Sequence, residues 1–379
     1  MSDLDFPLSI APMMEWTDRH YRFLMRKITK KTILYTEMVT AEAILRGNQD
    51  KLLGKSEDGP CVLQLGGDNP EKILQASKIG REYDYDALNL NVGCPSERVQ
   101  NGSFGACLMK EPNLVAELML AMREGSDLPV SVKHRIGVNG LESYDDLARF
   151  VQIVNEKGQT DHFIVHARIA ILEGLSPSEN RTIPPLRYED VFRLKKDFPT
   201  LRIEINGGIK DLNMAKQLIN AGVDAVMIGR AAYENPMIFQ FADQFQLLSK
   251  QDQSSLITSL SEANAKFNNS NIASNSKING SDMVEAKSLS QGIFQQEAFV
   301  QPYLESFDWE YLNEEIENYL NDWVSKGGKI HTVLRHALGF FYGQKGGRGF
   351  RRYLSENMHK SPSDVKLFRQ AMQASGVEV

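Results

Sequence analysis

The run Asn89-Leu90-Asn91-Val92-Gly93-Cys94-Pro95-Ser96 puts a thiol in a turn, between a glycine and a proline, straight after an apolar β-rich stretch. A free thiol has a pKa of about 8.5, so it stays mostly protonated at neutral pH and can donate a proton. A neighbour that lowered its pKa would make it a nucleophile, and apolar burial would make it inert. These three readings stay open for Cys94, whereas Cys61, inside an apolar run, suits the inert one. Gly207-Gly208 and Gly229-Arg230 each follow a strand-like run. Such glycines let backbone N–H groups approach a phosphate, or they simply turn the chain. Arg230 could add a charge-assisted contact. Gln64 offers a donor and an acceptor suited to a pyrimidine edge, Lys133 a positive charge, and His166 a ring nitrogen for phosphate or ribityl oxygens. Singly, these three have ordinary uses as a strand cap, an ion-pair partner and a core histidine. Together with a phosphate site they look like a seat for flavin mononucleotide (FMN).

Such residues must be carried to one place. Eight strand-like runs lie between Pro7 and Phe245: Leu8–Pro12, Ile33–Thr36, Cys61–Leu65, Ala87–Asn91, Val130–His134, His162–His166, Leu201–Asn206 and Ala225–Gly229. Helical patterns, among them Glu71–Tyr83, Asn113–Arg123, Tyr144–Glu156 and Leu212–Ala221, separate them. This alternation predicts a parallel α/β architecture, and the number eight favours a closed (β/α)8 TIM barrel over an open doubly wound sheet. In such a barrel the active site lies at the C-terminal strand ends, where Ala11-Pro12-Met13, Gln64, Asn91, Lys133, His166, Asn206 and Gly229 all fall.

The chain has 379 residues and 42.7 kDa, with three cysteines and no C-x-x-C, which excludes a disulfide scaffold and a common zinc motif. The acidic start, Met1 to Phe6, has no basic segment leading an apolar one, and no apolar run approaches the ~20 residues of a spanning helix. A reducing, cytoplasmic location is expected. Although the net charge is −6, Lys326–Val379 holds ten Lys or Arg against three Asp or Glu, +7, which leaves the other 325 residues at −13. A basic tail on an acidic body is either a footprint for a polyanion or a solvated charged face. In Gln251–Gln296, 21 of 46 residues are Ser, Asn or Gln, which predicts a flexible insertion. The expected organisation is a barrel over 1–247, this insertion within 248–297, and a small C-terminal helical domain over 298–379. Helices are expected over Tyr303–Trp323, Ile330–Tyr342 and Asp364–Ala374, with a loop at Gly343–Gly349.

Several runs resemble tRNA-dihydrouridine synthases: Ala11-Pro12-Met13-Met14-Glu15-Trp16-Thr17-Asp18, Leu34 to Val39, Leu63 to Gly67, Asn89 to Ser96, Gly102-x-x-Gly105-Ala106-Cys107-Leu108-Met109 and Ile205 to Ile209. The segment from Gly174 to Leu186 and Arg351-Arg352-Tyr353-Leu354-Ser355-Glu356-Asn357 resemble the branch acting on positions 20 and 20a of the D-loop. The resemblance implies an FMN-binding TIM barrel and a helical tRNA-binding domain, with NADPH as the reductant. It implies flavin contacts at Ala11, Pro12, Met13, Gln64, Lys133, His166, Asn206, Gly207, Gly208, Gly229 and Arg230. The proton donor falls on Cys94, and RNA contacts fall on Asn91, Ser178, Arg181, Arg348 and Arg351. Ser178 and Ile169 stand where that branch usually carries lysines. The expected activity is reduction of the C5–C6 bond of uridine in tRNA. A small-molecule flavin reductase of the dihydropyrimidine or dihydroorotate dehydrogenase type is the alternative, and it has no use for the basic tail. A non-catalytic tRNA chaperone has no use for Cys94.

Overall fold

The computed structural model describes residues 3–55, 57–96, 103–245, 307–360 and 363–376; the run Gln251–Gln296 lies outside them. The eight strands are β1 (Leu8–Ile10), β2 (Leu34–Thr40), β3 (Cys61–Gly66), β4 (Ala87–Val92), β5 (Val130–Arg135), β6 (His162–His166), β7 (Arg202–Asn206) and β8 (Ala225–Ile228). All pair in parallel, in the order β1-β8-β7-β6-β5-β4-β3-β2. The two ends of that order meet. Ile10 N donates to Ile33 O at 2.9 Å and Ile33 N to Leu8 O at 3.0 Å, so the sheet closes into a barrel. The open-sheet alternative is thereby excluded.

Every strand residue of β1, β3, β4 and β8 is buried, as expected when helices cover the outside and side chains fill the inside. Inside lies a small apolar cluster that includes Ile33, Tyr35, Val62, Ala87, Ile164 and Met227. The larger core, between strands and helices, runs on without a break into the C-terminal helices. Local signals set the helix starts. Asn69 accepts from Lys72 N ahead of Pro70–Arg81, and Ser143 with Asp146 forms a capping box ahead of Tyr144–Gly158. β2 runs to Thr40, past the expected Thr36, because an irregularity between Tyr35 and Met38 interrupts its alternation. No helix among the described residues is long and apolar enough to cross a membrane.

The C-terminal helices are Trp309–Ser325, Ile330–Leu334, Gly347–Asn357 and Leu367–Ser375. Two expectations are corrected here. The helix expected over Ile330–Tyr342 ends at Leu334 and tightens into a 3-10 turn, Arg335–Ala337, whose side chains turn toward the barrel. The loop expected at Gly343–Gly349 is only half a loop, since a helix begins at Gly347. A Cβ on Gly347 would collide with Phe341 O, so glycine there serves a close approach, not a turn. Gly347, Phe350 and Leu354 face inward, and Arg348, Arg351 and Arg352 face solvent.

Asp18 ties these helices to the barrel. Its Oδ1 accepts from His20 N and Tyr21 N as the N-cap of helix Arg19–Ile28. Its Oδ2 accepts from Arg335 Nη2 at 2.7 Å and lies 3.1 Å from His336 Nε2. Burial opposes its ionisation, but the hydrogen bond and charge of His336 prevail and hold the carboxyl well below the usual range. Phe23 and Tyr319 stack beside this joint at 3.9 Å between ring centroids. Asp18→Ala is expected to destabilise the protein by about 2–4 kcal/mol, since it removes a cap and leaves Arg335 without its carboxylate. Denaturant unfolding checks this, and because the carboxyl is depressed, the deficit relative to wild type should persist from neutral pH down past pH 4.

Candidate active site at the C-terminal strand ends

Strand period two turns Gln64, Asn89, Asn91, Lys133, Arg135, His166, Glu204 and Asn206 to the barrel interior. Buried amides there must find partners, and they do so in a chain. Asn89 Nδ2 donates to Ser131 Oγ at 2.9 Å, Gln64 Nε2 to Asn89 Oδ1 at 2.8 Å, and Asn91 Nδ2 to Gln64 Oε1 at 2.9 Å. Asn91 Oδ1 then accepts from Gly93 N at 3.1 Å and Cys94 N at 3.0 Å. Cys94 is half-buried, and its carbonyl accepts from Ala106 N at 2.9 Å. Gln64, 1% exposed, already uses one donor and one acceptor inside the core. Asn91 is also buried, and its side chain shapes the Cys94 turn.

Five cations lie at this end of the barrel: Lys133, Arg135 and Arg181 near Cys94, and Arg168 and Arg230 beside these arginines. Lys133 Nζ donates to Asn206 Oδ1 at 3.1 Å, and Asn206 Nδ2 donates to Met227 O at 2.8 Å. Desolvation and the neighbouring Arg135 push the Lys133 ammonium down to about 8. Arg168 donates to Thr182 O at 3.3 Å and to Pro184 O, and Arg230 Nη2 to Arg181 O at 3.4 Å. Among the described residues none of the five forms a salt bridge; Lys133, Arg135, Arg168 and Arg230 donate to backbone carbonyls or an amide instead. Nδ1 of His166 is buried and finds no partner among the described residues. Burial, then the charges of Arg135, Lys133 and Arg168, keep this imidazole neutral, well below its usual pKa.

The end of β7 leaves no room for a side chain, and the end of β8 lies close to β1. Gly207 has φ +117°, and a Cβ there would meet Leu186 at 3.1 Å and His166 Nε2 at 3.4 Å. Tyr188 donates its hydroxyl to Gly207 O and holds the turn. A Cβ on Gly229 would lie 3.7 Å from Ala11 Cβ and 4.0 Å from Met13 Sδ, so the ends of β1 and β8 converge. Pro12 and Met13 are half-buried beside them, and Gly208 continues the positive-φ turn. The arrangement can hold an anion against these strand ends and present a thiol above them.

Ser178 and Arg181 lie in the loop after β6, both exposed, while Arg348 and Arg351 belong to helix Gly347–Asn357. Arg351 Nε donates weakly to Leu338 O at 3.4 Å, and neither arginine pairs with Glu314, Glu315 or any other described carboxylate. Sequence reasoning missed Arg135, Asn180 and Tyr188. Arg135 was within reach, as the next inward position after Lys133. A cavity of about 740 Å³ opens at the opposite barrel end, among Asp127, Ser131, His162 and Arg202. The thiol and the cation ring lie at the other end, and they, not cavity size, locate the chemistry.

The dihydrouridine synthase family model matches residues 9–318. A tRNA-dihydrouridine(20/20a) synthase of a Synechocystis species is 42% identical over 369 residues, covering 97% of this chain and 94% of that protein. Proteins of the same name from Shewanella oneidensis and Vibrio parahaemolyticus are 41% and 43% identical, covering 98% and 96% of this chain and 95% of each relative. Barrel, thiol turn and sequence agree over nearly the whole length, and the chain belongs to the dihydrouridine synthase family.

Proposed function

We propose that this chain reduces the C5–C6 double bond of uridine at positions 20 and 20a of tRNA, the substrate named for its relatives, with FMN as cofactor and NADPH as reductant. The observation that carries the reading is a thiol, Cys94, in a turn held by Asn91, beside Lys133, Arg135, Arg168, Arg181 and Arg230, none of which forms a salt bridge among the described residues. Uncompensated charge at one barrel end is costly unless an anion occupies it during function.

The residues fit a phosphorylated flavin. The Gly207-Gly208 and Gly229-Arg230 turns suit its phosphate, the unpartnered Nδ1 of His166 suits a phosphate or ribityl hydroxyl, and Lys133 suits the edge that gains negative charge. Ala11, Pro12 and Met13 would border it, and Gln64 and Asn206 would complete its polar contacts. When bound, FMN supplies hydride for C6 of the uracil. Cys94 holds the proton for C5 on its Sγ; an enolate-like carbon is basic enough to take a proton from a thiol. The target base must leave its stack to reach Cys94, which is least demanding for a loop nucleotide. Arg181, Ser178 and the exposed face of helix Gly347–Asn357, with Arg348 and Arg351, would grip the RNA backbone. A free pyrimidine would have no use for that face.

Cys94→Ala should leave NADPH-driven flavin reduction intact and lower uridine reduction in tRNA by ~10²–10⁴-fold. Stopped-flow flavin bleaching and dihydrouridine mapping on the same variant check this, and equal loss in both would make Cys94 structural. Lys133→Met should weaken FMN binding yet stabilise the flavin-free protein. The wild-type penalty for a charged, desolvated Lys133 is constant below about pH 8 and fades toward the ordinary lysine pKa of about 10.4. The stabilisation should therefore be largest below pH 8 and shrink above it in thermal melts. Arg348→Ala with Arg351→Ala should flatten the salt dependence of tRNA binding by roughly one to two units in the slope of log K against log salt, with FMN content unchanged.

A further inference from the structure

We infer that Arg135 is a positioning residue: its single guanidinium joins the peptide plane that precedes Cys94 to the peptide plane that precedes Arg181. The inference rests on the proposed function for its meaning and on geometry for its existence. Arg135 ends β5, opposite His166 of β6 in register, and is only 4% exposed. Nε donates to Gly93 O at 3.2 Å, and Nη1 donates to Asn180 O at 2.8 Å and Ile169 O at 3.1 Å. It forms no salt bridge among the described residues. A buried guanidinium without a counter-ion is retained only where its fork of donors is used, and here the fork spans two loops.

The consequence lies in which carbonyls it takes. Gly93 O and Cys94 N belong to one peptide group. Arg135 holds the oxygen edge while Asn91 Oδ1 holds the N–H edge at 3.0 Å. Asn180 O and Arg181 N belong to another. Arg135 holds its oxygen, and its N–H donates to Ser178 O at 3.1 Å. Both planes are therefore clamped at each edge. The loop around Asn180 is rigid for its own reasons, since its side chain accepts from Ile171 N and donates to Ile171 O, both at 2.8 Å. Arg135 carries that rigidity across to the thiol turn. RNA held by the β6 loop then meets Cys94 at a fixed offset, and acid alignment follows from the same residue that sets the grip.

Lysine keeps the charge but places one compact ammonium where the fork reached both loops. In Arg135→Lys, kcat for uridine reduction should fall by about 10²-fold, the scale of a misplaced reacting group, with KM for tRNA little changed and FMN retained. In Arg135→Ala, methylguanidinium in the buffer should restore part of kcat. Amide exchange by mass spectrometry should show the segments containing Cys94 and Arg181 losing protection together in both variants, and regaining it with methylguanidinium in the alanine variant. This readout needs neither tRNA nor flavin, so it decides the role of Arg135 even if wild type reduces no uridine and the proposed function falls. Full kcat in Arg135→Lys, or exchange that changes in one segment alone, would overturn the inference. Should the alanine variant fail to fold, the lysine variant decides by the same two measurements.

Discussion

The carboxamide of Asn91 is the constraint on which the site hangs. Its nitrogen is spent on Gln64 inside the barrel and its oxygen on Gly93 N and Cys94 N above it. An inward β4 residue thus links the amide chain that runs to Ser131 with the turn that carries the thiol. An amide can do this because it has donors and acceptors on separate atoms. A carboxylate would oppose Gln64 Oε1, and an apolar residue would leave two N–H groups unmet, each costing about 1–3 kcal/mol.

Charge is partitioned around that constraint. Several cations away from the site have carboxylates within reach, as with Lys72 and Glu42, Arg187 and Asp190, or Arg369 and Glu317. At the C-terminal strand ends Lys133, Arg135 and Arg168 have, among the described residues, carbonyl and amide oxygens instead, which orient them without neutralising them. An acidic protein thereby keeps a positive mouth. Burial, helped by the same cations, holds His166 neutral, so its ring offers a hydrogen bond and no further positive charge.

Much of this was legible in the sequence, for identifiable reasons. Parallel strands covered on both faces read as apolar runs, and polar residues at their C-terminal ends stand out against them. That is why Gln64, Lys133, His166 and Cys94 stand out in the sequence itself as strand-end residues. Helix Gly347–Asn357 was hidden because Gly343, Gly346, Gly347 and Gly349 read as a loop, whereas Gly347 answers to the nearby Phe341 carbonyl. Strand alternation could have placed Arg135 inward, but nothing local tells that its partners lie 42 and 45 residues away. The role of Asn91 as a backbone clamp was hidden too, because it depends on a β3 neighbour 27 residues distant.

Asp18 shows how far such separations reach, since Arg335 stands 317 residues along the chain. The segment it ends also leaves β1 through Ala11, Pro12 and Met13. Met13 N donates to Thr17 Oγ1 at 3.0 Å, and Met13 O accepts from Thr17 N at 3.0 Å and Trp16 N at 3.1 Å. Trp16 stacks on Tyr233 at 4.4 Å, and the Tyr233 hydroxyl lies 3.1 Å from His336 Nδ1. Tyr233 follows Arg230 on the short helix after β8. The ends of β1 and β8, where the flavin phosphate is proposed, are thus braced by the same residues that dock the C-terminal helices. A tilt of those helices on tRNA would pull on Asp18 and His336 first, and through them on the Met13 turn and on Tyr233. The joint between the two parts of the chain is therefore also the outer wall of the site, and rigidity in one serves the other.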